Sequence, residues 1–469
     1  MGSEKNIINF VNSQAARLSA IAKDIWDHPQ IAFQETYASE LIAGELEADG
    51  FSIEWGAGGM ATAFTATWGS GSPIIGFLGE YDALPGLSQQ VIAEQKSIES
   101  DAPGHGCGHN LYGTACMGSV IALKREMEKE NIVGTIRFYG CPAEEQVIGK
   151  VLMARDGVFD DLDAAITWHP GSTNLVWNGS SLALNSFKVN FYGVASHAAA
   201  APHLGRSALD GVMLMDIGMN YLREHVASEC RIHSVVTSGG DAPNVVPAYA
   251  QIWYYIRAPE REQVNLMYER VVDIAKGAAL MSGTSHKIEF IAGCYEVLPN
   301  NALSDLMLAK MDRVNDLVFT AEERRFARQI QATFPDEAIQ GAFDRLQMAV
   351  QKDTIVESIE NPLWTQVLPH DEDGPSVEGS TDVGDVSWIT PTGQITSCCW
   401  PLGTPPHSWQ MVASSGSSIG SKGMLFATKT MALAGLDLLR DPDILNQARK
   451  EFDEARNGLT YKSALPENN

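Results

Sequence analysis

Three segments of this sequence repeat one pattern. "PIIGFLGEYDALPG", "GTIRFYGCPAEE" and "DAAITWHP" are nearly continuous apolar runs. They end abruptly in Glu80 and Asp82, in Glu144 and Glu145, and in His169. A run apolar on both faces suits a strand buried between two layers, whereas a strand facing water on one side alternates. Helical patterns lie between these runs. Ile7, Phe10, Val11, Leu18, Ile21 and Ile25 recur near helical spacing over Ile7–Trp26, and further helices are predicted over Thr36–Asp49 and Leu111–Glu130. Strands alternating with helices predict an α/β fold with a mixed or parallel sheet. In such sheets ligands collect at the carboxyl ends of the strands, where the polar residues stand here.

From Phe187 the pattern changes. "FKVNFYG", "IHSVVTSGG", "AYAQIWYYIRA" and "HKIEFIAG" read as strands. "RSALDGVMLMDIGMNYLREHV" and a segment opening near Pro259 and closing near Gly283 read as helices. The order βαββαβ is the ferredoxin-like pattern and predicts a separate small domain. The expected organisation is therefore one α/β domain in two pieces, 1–185 and 299–469, around an inserted domain at 186–298. In the last piece Thr320 and Glu323 form a capping-box pattern, and Asp371–Gly374 reads as a solvated turn.

Composition narrows the function. The 469 residues suffice for two or three domains, and 45% hydrophobic with 19% charged residues describes a globular chain with ample core. No apolar run is long enough for a transmembrane helix, and no signal-peptide pattern opens the sequence. A formal charge of −25 argues against nucleic acid as a partner. An anionic substrate would need locally placed arginines. Seven irregularly spaced cysteines suit a reducing cytoplasm better than a disulfide framework.

The chemistry centres on "GHGCGHN". Taken alone, Cys107 and His109 fit a glycine-rich turn with a buried cysteine, a redox thiol, or a pair of metal ligands. Glu144–Glu145 fits a solvated acidic turn, or a pair in which one carboxylate binds a metal and the other acts as general base. His169 alone fits a satisfied core histidine. His407 lies in "LGTPPHSW", a loop stiffened by Pro405 and Pro406. Jointly, Cys, His, Glu, His and His are a borderline-soft donor set suited to zinc and also to manganese. Adjacent Cys398 and Cys399 read as core residues.

The segments "GEYDALPG", "GHGCGHN", "CPAEE", "TWHP", "SHAAAAPH", "GGDAPNVVP", "STDVGDVSW" and "GTPPHSW" occur in this order. In them the chain resembles the M20 metallopeptidase family, in its amidohydrolase branch. The resemblance implies a mixed-sheet metallopeptidase catalytic domain with an inserted ferredoxin-like lid and dimerisation domain. It implies two divalent metal ions per subunit, Zn or Mn, held by Cys107, His109, Glu145, His169 and His407, with Cys107 as the bridge and Glu144 as general base. Glu80 stands where the broader peptidase branch has histidine, while Asp82 is retained and would orient a metal-binding group. His197 would stabilise the oxyanion in the partner subunit's active site, which makes a dimer part of the mechanism. Asn244, Arg257 and Thr381 would bind substrate, with Gly384 and Ser387 lining the pocket; a surface salt bridge remains open for Arg257. The implied reaction is hydrolysis of an N-acyl amino acid, with p-aminobenzoyl-glutamate favoured. The alternatives are an aminoacylase or dipeptidase acting on another N-acyl or aryl-acyl amino acid and, of another class, a non-catalytic partner subunit on a peptidase scaffold; the expected assembly is a homodimer through the lid domain, with a hetero-oligomer with a paralogous subunit as the alternative.

Overall fold

A computed structural model describes residues 2–349, 360–369 and 379–466. The turn expected at Asp371–Gly374 lies outside them. The chain divides into two compact units. The first comprises Met1–Gly179, Leu298–Pro375 and Val386–Tyr461, and the second comprises Ser180–Val297, Ser376–Asp385 and Lys462–Asn469.

The N-terminal part of the first unit opens with helices α1 (Gly2–Asp27) and α2 (Thr36–Ala48), then strands β1 (Ser52–Trp55), β2 (Phe64–Ser70) and β3 (Ile74–Glu80). Helix α3 (His109–Glu130), strand β4 (Gly134–Cys141), helix α4 (Gly149–Arg155) and strands β5 (Ala164–Gly171) and β6 (Asn174–Val176) follow. The apolar runs behave as their composition demands: six of seven residues in β3 and seven of eight in β4 are buried. Helix α3 is buried on every side from His109 to Leu123. A helix without a solvated face over that length belongs to the interior.

The second unit carries β7 (Ala183–Tyr192), α5 (Ala208–Leu222), β8 (Arg231–Ser238), β9 (Tyr249–Ala258), α6 (Arg261–Ser282) and β10 (Ser285–Cys294). Its strands form an antiparallel sheet in the order β10-β7-β9-β8. Strand β9 alternates buried and less buried residues along its length, the signature of one covered face. Ile252, Tyr254 and Ile256 from that face join Val212 and Met215 of α5 and Val264 and Val271 of α6 in one core. Strand β7 begins at Ala183, ahead of the apolar alternation, because its early residues Asn185 and Ser186 are polar yet buried.

The chain then adds α7 (Asn301–Val314), α8 (Ala321–Gln331), α9 (Asp336–Ala349), β11 (Val367–Leu368), α10 (Val383–Ser387), β12 (Thr392–Cys398), α11 (Trp409–Ser415), α12 (Ser418–Arg440) and α13 (Pro442–Arg456). Thr320 and Glu323 exchange the two hydrogen bonds of a capping box at the start of α8. Among the described residues the large sheet has eight strands in the order β1-β2-β4-β3-β5-β12-β6-β11. Its centre, β4-β3-β5-β12, is parallel, and antiparallel pairs flank it. Helices α3 and α12 pack on these central strands and on each other, with α1 against both. The parallel centre sends the carboxyl ends of β3, β4 and β5 in one direction, and the polar strand tips with them. Among the described residues no helix is long and apolar enough to cross a membrane.

Candidate metal centre

Strand β3 ends on Glu80, with Asp82 two residues beyond. The chain returns at the Gly104–Gly108 turn, which feeds α3. A side chain at Gly104 would lie 2.3 Å from the Leu87 carbonyl oxygen, so only glycine allows that approach. Gly108, at φ 75°, sets the left-handed start of α3. The turn is tied down by His105, a residue to which the motif alone assigns no role. Its buried ring places Nε2 3.2 Å from the Ile25 carbonyl, and its own carbonyl accepts from the Ser415 hydroxyl. Cys107 and His109 are thereby presented on the same side.

His109 and His169 are each oriented through one ring nitrogen. His109 donates from Nδ1 to Asp82 Oδ1 at 2.8 Å, which leaves Nε2 facing Glu80 Oε2 at 3.3 Å and Glu144 Oε2 at 3.9 Å. His169 donates from Nδ1 to the Pro170 carbonyl at 2.8 Å and presents Nε2 to Cys107 Sγ at 3.4 Å. His407, half-exposed and held at φ 51°, places Nε2 3.5 Å from Glu145 Oε2. Asp82 also accepts the Glu145 backbone N–H through Oδ2 at 2.9 Å, so one buried carboxylate steadies two members of the cluster.

Three groups result whose ligand atoms lie within 4.8 Å of one another: Cys107, His109 and His169; Cys107, Glu145 and His407; and Glu80, His109 and Glu144. The first two share Cys107, as two ions with a bridging sulfur require. The electrostatics fit a cation. Burial, reinforced by the Glu145 carboxylate, pushes the Cys107 thiol up to about 12. Burial and the Asp82 and Glu80 carboxylates push Glu145 up to about 8. Burial and the nearby His109 push His169 down to about 4. Glu80 Oε2, His109 Nε2 and Glu145 Oε1 are buried without a hydrogen-bond partner among the described residues. Orphaned polar atoms of this kind cost about 1–3 kcal/mol each. Divalent ions held at the Cys107-linked groups would satisfy His109 Nε2 and Glu145 Oε1.

Two participants are invisible to motif reading. Lys150, fully buried on α4, donates to Glu80 Oε1 at 2.6 Å. Glu35, fully buried before α2, accepts from the Ala143 backbone N–H at 2.9 Å and from the Thr62 hydroxyl at 3.1 Å. Each partner is remote in sequence, and neither residue lies in a motif.

His197, Asn244, Arg257 and Thr381 all lie in the second unit. Exposed His197 sits in the loop after β7, where the Ala199 and Ala200 backbone N–H groups donate to its Nδ1 at 3.2 and 3.1 Å. Those donors place the proton on Nε2. Asn244 is exposed and its carbonyl accepts the Ala198 N–H. Arg257 is the penultimate residue of β9, and Thr381 Oγ1 accepts from the Val383 N–H. The buried Ser387 hydroxyl accepts the Leu298 N–H, and Gly384 lies where any side chain would meet the Tyr295 carbonyl at 2.1 Å. Cys398 and Cys399 are buried cysteines outside the three groups.

Residues 183–280 match the peptidase dimerisation domain family. Over 467 residues the chain is 42% identical to one of the subunits of p-aminobenzoyl-glutamate hydrolase from Escherichia coli (strain K12), covering 98% of this chain and 97% of that protein. The fold is shared with the aminobenzoyl-glutamate utilization protein from Klebsiella pneumoniae, at a TM-score of 0.63, 18% identity and coverage of 92% of this chain and 97% of that one. It is shared too with a dinuclear metal binding peptidase from the M20 family of Bacillus subtilis, at a TM-score of 0.54, 17% identity and coverage of 91% and 99%.

Proposed function

The chain belongs to the M20 peptidase and amidohydrolase family, and from that premise we propose that it hydrolyses the amide bond of an N-acyl amino acid, cutting p-aminobenzoyl-glutamate into p-aminobenzoate and glutamate. The observation that carries this reading is the pair of ligand groups joined at Cys107, with a further carboxylate, Glu144, beside them. The name of the Escherichia coli relative supplies the substrate.

Two divalent ions, zinc or manganese, held by Cys107, His109, Glu145, His169 and His407 would supply Lewis acidity for the amide carbonyl and the attacking water. Glu144 takes a proton from that water as it adds to the carbonyl carbon, and returns it to the amide nitrogen as the C–N bond breaks. Asp82 keeps His109 in the tautomer that offers Nε2. His197 carries its proton on Nε2 and is assigned to donate to the tetrahedral oxyanion in the partner subunit. Arg257 is assigned the substrate carboxylate, with Asn244 and Thr381 as polar partners.

A homodimer through the inserted unit accords with the dimerisation-domain match. Helix α5 exposes Met213, Ile217 and Tyr221 at successive four-residue intervals, and β8, a strand at the edge of its sheet, exposes Val235 and Val236. An apolar stripe next to an open strand edge is a surface that a second copy covers. The relative is named as one subunit of a hydrolase, which favours, as a second reading, a hetero-oligomer with a paralogous chain. Activity of this chain purified alone separates the two. A thiolate bridge needs reducing surroundings, and none of the seven cysteines is in a disulfide, which supports the cytoplasm as its compartment.

Glu144→Gln tests the chemistry. Metal content by elemental analysis stays at the wild-type value, while turnover of p-aminobenzoyl-glutamate falls by about 10²–10⁴-fold. Wild-type turnover in that variant removes Glu144 as the base.

A further inference from the structure

We propose that Glu35 is a positioning residue: its carboxylate holds the backbone turn that carries Glu144. The proposal rests on reading Glu144 as the general base. Glu35 occupies the N-cap position of α2, yet its side chain makes no capping hydrogen bond. It turns inward, fully buried, and accepts the Ala143 N–H through Oε1 at 2.9 Å. Ala143 is the residue before Glu144 and sits in the left-handed region at φ 58° and ψ 35°. A side-chain-bearing residue rarely adopts that conformation without something to hold it.

The brace has a counterpart on the other side. Asp82 holds the Glu145 N–H at 2.9 Å, so the N–H groups on both sides of Glu144 end on buried carboxylates. The two braces differ in reach. Asp82 also holds the His109 ring, whereas the Glu35 carboxylate binds Ala143 and Thr62, neither of them a metal ligand. Thr62 is itself fixed, its carbonyl accepting the buried Tyr81 hydroxyl at 2.6 Å. Loss of the Glu35 brace therefore displaces the base and spares the ligands.

The test uses the full-length, metal-loaded protein with p-aminobenzoyl-glutamate as substrate. Glu35→Ala lowers kcat by about 10- to 100-fold, the cost of misplacing a reacting group by about an ångström, while KM and metal content stay at wild-type values. Glu35→Gln keeps an acceptor oxygen for Ala143 and offers its amide N–H to the Thr62 hydroxyl, so kcat recovers. Amide hydrogen exchange over residues 141–148 quickens in Glu35→Ala and returns to the wild-type rate in Glu35→Gln. Should Glu35→Ala fail to fold, Glu35→Asp, one methylene too short to bridge both donors, shows the same kcat-selective loss. Unchanged kcat in a folded Ala or Asp variant, metal loss in parallel with kcat, or no recovery in Glu35→Gln each overturns the proposal. If Glu144→Gln turns over normally, the base assignment falls and exchange alone decides: a quickened 141–148 segment retains the brace, and an unchanged one removes it.

Discussion

Glu35 also leaves a mark on stability. Burial, with the nearby Asp82 carboxylate adding to it, pushes its carboxyl up to about 7 from an ordinary 4.5. A folded-state value above the unfolded one means that the folded chain binds this proton more tightly. The associated stability is complete below pH 4.5 and is lost as pH rises through about 7. Glu35→Gln mimics the protonated group and does not titrate. Its melting temperature relative to wild type is expected to climb between pH 5 and 8, by the equivalent of up to about 3 kcal/mol. Parallel melting curves across that range would count against the shift. At this scale the sequence was legible where chemistry is local. Cys107 and His109 share a glycine turn, Glu145 and His169 close apolar strands, and His407 follows two prolines. Glu35 and Lys150 were illegible because what defines them is a partner 108 or 70 residues away.

At the level of elements, the strands were readable because burial on both faces leaves no room for polar residues until the chain emerges at β3, β4 and β5. Helix α3 was harder to bound. It starts at His109 rather than Leu111, since Gly108 turns the chain into the helix directly from the ligand loop. Apolar alternation alone starts β7 late, because Asn185 looks like a loop residue; in the fold its burial is offset by Arg261, whose Nη2 donates to it at 2.8 Å. The ligand turn itself depends on backbone proximity. Gly104→Ala would drive a methyl group into the Leu87 carbonyl. We expect a loss of about 1–3 kcal/mol in thermal melts, with weaker metal retention against a chelator, since the displaced turn carries Cys107. Unaltered stability and metal retention would show that the turn relaxes freely.

For the whole molecule, the βαββαβ order was legible because alternation in β9 and β7 differs visibly from the continuous runs of the large sheet. The strand order of the large sheet was not, because β12 pairs with residues encoded far upstream. The assembly is testable through α5. Met213→Lys combined with Tyr221→Glu places charges on the apolar stripe and is expected to convert the proposed homodimer to monomer in light scattering, with the fold retained by circular dichroism. An unchanged mass would move the interface elsewhere. The position of β12 between β5 and β6 has a consequence for biosynthesis. A ribosome releases β5 and β6 long before the strand that must separate them, and the inserted unit, with its own sheet and core, is free to fold in the interval. His407 emerges last of the five residues proposed as metal ligands, so Cys107 spends the whole of that interval without its full set of proposed neighbours. With Cys107 as the proposed bridge, translation is a period in which its thiol stands unshielded by metal and open to oxidation.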